Sequence, residues 1–191
     1  MKKIEQIYRE ILNQAIRNKK HKFTQLELSK KIKASLSTIN NAIKHLEKIG
    51  AVDIGKRGFT IKDIEKILIF WATKRNLNKD IVYQTSVNKS INDIEKNMPA
   101  KTTYTAYSAY KFKFDDVPAD YSEVIVYSNN IEEIKRRFPE KKGPINLIVL
   151  KKEGKIGDIA SLAQIYVDLW NLNTWYAKEF LKATENKILV R

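Results

Sequence analysis

Apolar residues recur through the first third of the chain at intervals of three and four, with polar and charged residues between them. Ile4, Ile7, Ile11, Leu12, Ala15 and Ile16 form one such stripe, which predicts an amphipathic helix over residues 3–18. A basic run, Lys19-Lys20-His21-Lys22, follows it. Thr24-Gln25-Leu26-Glu27 has the form of a capping box, in which the threonine oxygen and the glutamate carboxylate each take up an orphan amide. A second helix is therefore predicted from Thr24, with Leu28 and Ile32 facing inward. After a tight turn at Ala34-Ser35, Ile39, Ile43 and Leu46 mark a third helix over 36–49, which Gly50 stops. Residues 51–54 and 59–61 read as two strands around Gly55-Lys56-Arg57-Gly58, a hairpin with two cations at its tip. Ile64, Ile67, Leu68 and Trp71 predict a fourth helix over 63–74, with the tryptophan as packing.

Two short helices joined this tightly make a helix-turn-helix. Away from the apolar stripe, the third helix carries Ser37, Thr38, Asn40, Asn41, Lys44 and His45, and Ser35 stands in the turn before it. These short or polar side chains can approach base edges or phosphates, whereas a merely solvated helix carries more glutamate and lysine. An asparagine amide can donate and accept together against adenine. Lys56 and Arg57 at a hairpin tip suit a phosphate or the adjacent minor groove. The segment 24–61, particularly Ser35-Leu36-Ser37-Thr38-Ile39 followed by Leu46-Glu47-Lys48-Ile49-Gly50-Ala51-Val52, resembles the winged helix-turn-helix regulators of bacteria and archaea. The resemblance implies that residues 1–75 bind double-stranded DNA and that the chain regulates transcription. Ser35, Ser37, Thr38, Asn40, Asn41, Lys44, His45, Lys56 and Arg57 are the DNA-binding candidates.

Beyond residue 75 the pattern changes. Residues 76–100 read as a connecting segment with a strand at 81–86 and a short helix that Ser90 caps and Pro99 ends. Tyr104, Tyr107 and Tyr110 fall at helical spacing, and with Phe112 and Phe114 they read as core rather than as a stacking platform for single-stranded nucleic acid. A strand at 123–127, a helix at 131–138 capped by Asn130 and a strand at 145–150 predict a parallel pair with a right-handed crossover. Leu162, Ile165, Tyr166 and Leu169 mark a further helix, Ala177, Phe180, Leu181 and Thr184 another, and 188–190 a closing strand. The expected architecture is an α+β winged-helix domain over 1–75, the connection, and an α/β domain over 101–191.

Charge sharpens this division. The chain has 191 residues and a net charge of +14. Residues 1–75 hold 18 Lys or Arg against 7 Asp or Glu, a net +11, while residues 76–191 hold 18 against 15, a net +3. A positive field concentrated on one segment is the footprint of a polyanion-binding module joined to an ordinary globular domain. The absence of cysteine excludes disulfides, thiolate metal sites and a cysteine nucleophile. His21 and His45 stand 24 positions apart, so no zinc site is expected, nor any cofactor. No stretch approaches the roughly 18 apolar residues that cross a bilayer, which predicts a soluble, cytoplasmic chain without a membrane partner.

A second resemblance covers roughly residues 100–185. Ala163-Gln164-Ile165-Tyr166-Val167-Asp168-Leu169 is similar to the glutamine and aspartate-leucine signature of AbiEi-type antitoxins, and Thr105-Ala106-Tyr107-Ser108-Ala109-Tyr110 to their threonine-glycine-x-serine-alanine segment, with Ala106 in the glycine position. It implies a nucleotidyltransferase-like fold without the catalytic residues, repression of the chain's own operon, and functional pairing with a separately encoded nucleotidyltransferase toxin. Catalysis by the chain itself is not expected. Nucleotidyl transfer needs carboxylates at fixed spacing after a Gly-Ser turn, no Gly-Ser dipeptide occurs, and Asp115-Asp116 is the only tight acidic pair near a strand, where adjacent side chains point to opposite faces. Gly154-Lys155-Ile156-Gly157 lacks the spacing of a phosphate loop, and Asp168 reads as capping or pairing with a basic neighbour. Residues 76–191 are expected to pair protomers into a homodimer or to contact another macromolecule. The alternative is an enzyme or RNA-binding factor that holds its substrate on the basic domain.

Overall fold

The structure, a computed structural model, describes residues 1–154 and 156–189. The chain divides into Met1–Arg75, with Ile188 and Leu189 counted in this first unit, and Asn76–Lys187.

The first unit begins with helix α1, Lys3–Asn18, whose stripe buries Ile7, Ile11, Leu12 and Ala15. Strand β1, Lys22–Phe23, leads to helix α2, Gln25–Ile32. Thr24 Oγ1 accepts from the Glu27 N–H at 3.1 Å, as the capping pattern predicts. The Glu27 carboxylate turns instead to Lys20 Nζ, 2.8 Å away, because an ammonium is the stronger donor. Helix α3, Leu36–Lys48, buries Ile39, Ala42, Ile43 and Leu46. Its end is closed by Gly50 at φ 69°: the Gly50 N–H donates to the Glu47 carbonyl at 2.8 Å and the Ala51 N–H to the Leu46 carbonyl at 2.9 Å. Strands β2, Val52–Gly55, and β3, Gly58–Ile61, pair antiparallel through a two-residue connection, Lys56-Arg57. β1 adds to the other edge of β3, giving the order β1-β3-β2. Helix α4, Ile64–Lys74, starts at Asp63, whose carboxylate accepts from the Lys66 N–H.

The close approach of β1 makes Gly58 obligatory. Its φ is +153°, and a Cβ there would stand 2.0 Å from the Phe23 carbonyl oxygen. The oxygen belongs to the Phe23 backbone and the position of a Cβ is fixed by the backbone of residue 58, so neither can swing away. Gly58→Ala is expected to cost more than about 1 kcal/mol and lower the thermal midpoint; an unchanged midpoint would remove β1 from the sheet.

Trp71 is fully buried, and it is more than packing. Its indole N–H donates to Glu5 Oε2 at 3.3 Å, and Arg75 Nη1 lies 3.6 Å from the same oxygen. The first turn of α1 is thus bonded to α4 through buried polar groups.

The second unit carries a mixed four-stranded sheet. Its elements are strand β4, Ile81–Thr85, helix α5, Ile91–Lys96, strand β5, Thr103–Tyr104, helix α6, Ala106–Phe114, strand β6, Val124–Ser128, helix α7, Ile131–Arg137, strand β7, Leu147–Lys151, helix α8, Leu162–Trp170, and helix α9, Trp175–Leu189. The strand order is β4-β7-β6-β5, with β6 and β7 parallel and the outer pairs antiparallel. The parallel pair is the one the sequence predicts. The antiparallel edges make the unit mixed α+β rather than purely α/β, and the strand and short helix expected within the connecting segment 76–100 form edge strand β4 and helix α5 of this unit. β6 is buried along its length. Ile125 and Tyr127 enter a core with Tyr107, Tyr110, Ile165 and Phe180, while Val124 and Val126 enter a second with Tyr83, Ile94, Ile134 and Phe138. Alternate residues of one strand therefore serve two cores, as in a sheet covered on both faces.

Three expectations give way. Tyr104 lies in a strand, so its helical spacing to Tyr107 and Tyr110 is not a helix stripe. Asp115 is the left-handed C-cap of α6, at φ 51°, and Asp116 follows it, so the pair does not sit on a strand. The chain from Trp175 to Leu189 is helical where a closing strand over 188–190 is expected, and Val190 lies outside the described residues.

Candidate nucleic-acid interface

Helix α3 owes its position to its buried side, which packs toward α1, α2 and β2. The opposite side is open: Leu36, Ser37, Asn41, Lys44 and Lys48 are exposed. Ser37, Asn41 and Lys44 follow one another at intervals of four and three, forming a single row along the helix. Asn40 flanks this row and is half-buried, its Oδ1 accepting from Gln25 Nε2 of α2 at 3.4 Å. Gln25 thereby orients Asn40 across the turn between the helices, a role without a signal in the sequence.

Ser35 and Thr38 form the start of α3. Ser35 Oγ accepts from the Thr38 N–H at 3.1 Å and lies 2.8 Å from Thr38 Oγ1. Both hydroxyls are therefore engaged in capping as well as lying near the open face. His45 is half-buried, and its ring lies over Phe70 of α4, with centroids 6.3 Å apart and planes 29° apart. The structure thus brings Ser37, Asn41 and Lys44 together, sets Asn40, Ser35 and Thr38 at their margin, and turns His45 toward α4.

Lys56 and Arg57 are exposed at the tip of the β2–β3 hairpin. The turn is held from beneath by Phe59, which stacks on Phe23 at 5.4 Å and 14°. Several acids of this unit are neutralised locally: Glu10 by Lys31 at 2.6 Å, Glu27 by Lys20 at 2.8 Å, and Asp53 by Lys62 at 2.9 Å. The net positive charge is left to exposed lysines and arginines.

Leu36 is the residue that the sequence reading passes over. It precedes Ile39 by three positions and so fits the apolar stripe, yet it is 50% exposed. The first turn of a helix lacks the neighbouring turn that covers such a side chain further along.

In the second unit, the residues that carry the antitoxin resemblance meet around one carboxylate. Asp168 is fully buried. Its Oδ2 accepts from Tyr127 Oη at 2.6 Å and Thr105 Oγ1 at 2.7 Å, and its Oδ1 from Gln164 Nε2 at 2.9 Å. Three neutral donors thus converge on this carboxylate. Ala106, beside Thr105, is buried at φ 50°, a left-handed conformation that glycine adopts at less cost. Glu95, also buried, accepts from Tyr121 Oη at 2.6 Å and Lys111 Nζ at 2.7 Å, while its carbonyl accepts from Tyr104 Oη at 2.6 Å. Burial first, and the Glu95 carboxylate second, push the Tyr104 hydroxyl up to about 12. Asp116 accepts from Tyr110 Oη at 3.3 Å.

No family model, no curated protein and no solved structure matches this chain.

Proposed function

We propose that residues 1–75 are a winged helix-turn-helix that binds duplex DNA by sequence, and that the chain is a transcriptional regulator. The observation that carries this reading is the open row of Ser37, Asn41 and Lys44 on α3, followed directly by a hairpin that exposes Lys56 and Arg57, within a segment of net charge +11. In this reading α3 lies in the major groove and the hairpin is the wing, holding phosphate or minor groove. Gln25 presets Asn40, and the cap between Ser35 and Thr38 fixes the first turn of α3.

Selection of bound duplexes from a random pool, followed by salt titration, tests it. The logarithm of affinity should fall against the logarithm of salt with a slope of about −0.9 per phosphate neutralised, and Lys56→Ala with Arg57→Ala should flatten that slope by about 1.8. A double variant with the parent slope and affinity would remove the wing assignment. Asn41→Ala and Lys44→Ala should leave the fold intact and relax preference at individual base pairs by about 1–3 kcal/mol. If the pool yields no preferred sequence, the regulator reading fails.

A second reading, an AbiEi-like antitoxin, draws support from Ala106, whose left-handed backbone occupies the position of the family glycine, and from the meeting of Thr105, Gln164 and Asp168. Those residues would then maintain the domain rather than touch a toxin. Suppression of the toxicity of a neighbouring nucleotidyltransferase gene by co-expression of this chain supports the reading; the lack of such a gene overturns it.

A further inference from the structure

We infer that Leu36 is a specificity-determining residue that reads a thymine methyl group, so that the preferred duplex carries a T·A pair opposite the first turn of α3. The inference rests on the proposed docking of α3 in the major groove. Residues 1–75 expose three large apolar side chains, Leu26 on α2, Leu36 on α3 and Ile54 on β2, and Leu36 is the one on α3, whose outward row is otherwise polar. The N-terminal residues of a recognition helix are the ones that meet base edges. Leu36 is the first residue of α3, one turn before Asn40, and adjacent to the row that Ser37 begins.

A leucine offers base edges neither a donor nor an acceptor. Among the groups that base pairs present in the major groove, the thymine C5-methyl is the apolar one. Set against any other edge, Leu36 would strip water from a donor or acceptor and return no hydrogen bond, which disfavours those pairs. The same side chain therefore attracts thymine and discriminates against cytosine, guanine and adenine at that position. Asn41, one turn from Ser37 on the same row, carries the amide geometry suited to adenine, so the two side chains together favour an A·T-rich half-site.

Deoxyuridine separates the methyl from everything else, since it pairs as thymine does and lacks only that group. The full chain is titrated against its selected duplex and against duplexes in which single thymines are replaced by deoxyuridine. One replacement should weaken binding about three- to fivefold, the effect of withdrawing one buried methyl. Leu36→Ala should bind the parent duplex more weakly by a similar or larger factor and should be indifferent to that same replacement. Because Leu36 is half-exposed and lies off the core, circular dichroism of the variant should match the parent. Leu36→Met, which keeps an apolar contact, should retain part of the sensitivity. Selective binding that no deoxyuridine replacement weakens, or sensitivity that persists in Leu36→Ala, overturns the inference and leaves the regulator reading standing. Failure to select any sequence overturns both.

Discussion

Replacing Glu5 by alanine is expected to destabilise the first unit by about 3–5 kcal/mol, the range for removing one member of a buried charged pair. The Glu5 side chain is 6% exposed and that of Arg75 1% exposed. The carboxylate also receives the Trp71 indole N–H and, at 3.1 Å, the Lys2 backbone N–H. Alanine withdraws an acceptor from the buried indole and a counter-charge from the buried guanidinium at once, and so weakens the polar link between α1 and α4. Domain stabilities run at about 5–15 kcal/mol, so a substantial share of the unit's margin goes. Glu5→Gln, which keeps an amide oxygen for Trp71, should fall between alanine and the parent. Amide exchange reads this locally: in Glu5→Ala the core amides of α1 and α4 should exchange far faster. Exchange at the parent rate in those helices would contradict the role given to the network.

Asp168→Ala should have a comparable effect on the second unit. The substitution removes the acceptor that the Thr105 and Tyr127 hydroxyls and the Gln164 amide share and leaves a vacated, fully buried volume; a buried hydrogen-bonding group that loses its partner costs about 1–3 kcal/mol, although Gln164 Nε2 keeps its bond to Tyr127 Oη at 3.1 Å. A loss of about 3 kcal/mol or more is expected, read as a lowered urea midpoint with β6 and α8 opening together. Asp168→Asn should lose less, because both hydroxyls can rotate to accept from the new amide. If Asp168→Ala unfolds at the parent midpoint, the cluster does not hold the domain. A loss of biological activity in Gln164 or Asp168 variants should accordingly be checked against folding before it is assigned to a contact surface.

The helices of the first unit are legible because their signals are local: Thr24 and Ser35 cap, Gly50 reverses the backbone, and Ile39, Ile43 and Leu46 repeat at helical spacing. β1 is hidden because two residues, one of them lysine, carry no period of their own; only Phe59 across the ladder makes Phe23 a strand residue. Glu27 shows a local pattern overridden by a stronger competitor, with Lys20 drawing away the carboxylate of a capping box. In the second unit, the apolar run of β6 announces a buried strand and its parallel partner β7 is legible, but the antiparallel additions are not: β5 pairs with β6 across residues such as Thr103 and Tyr127, and β4 with β7 across residues as distant in sequence as Ile81 and Leu150. The candidate interface is legible as a list of polar positions on α3. Its inner order is not, since the rotation of His45 onto Phe70 and the bond from Gln25 to Asn40 are products of packing.

The burial of Trp71 has an optical consequence. It is the one tryptophan of residues 1–75, shielded from water, whereas Trp170 and Trp175 in the second unit are 41% and 69% exposed. An indole shielded from water emits at shorter wavelength than one exposed to it, so the blue edge of the emission band belongs mainly to the first unit and the red edge to the second. Trp71→Phe would strip the blue component and leave the other two fluorophores in place. The native chain thus carries an intrinsic dye for each half of itself, and a single denaturant titration viewed at both edges can show whether the halves melt as one.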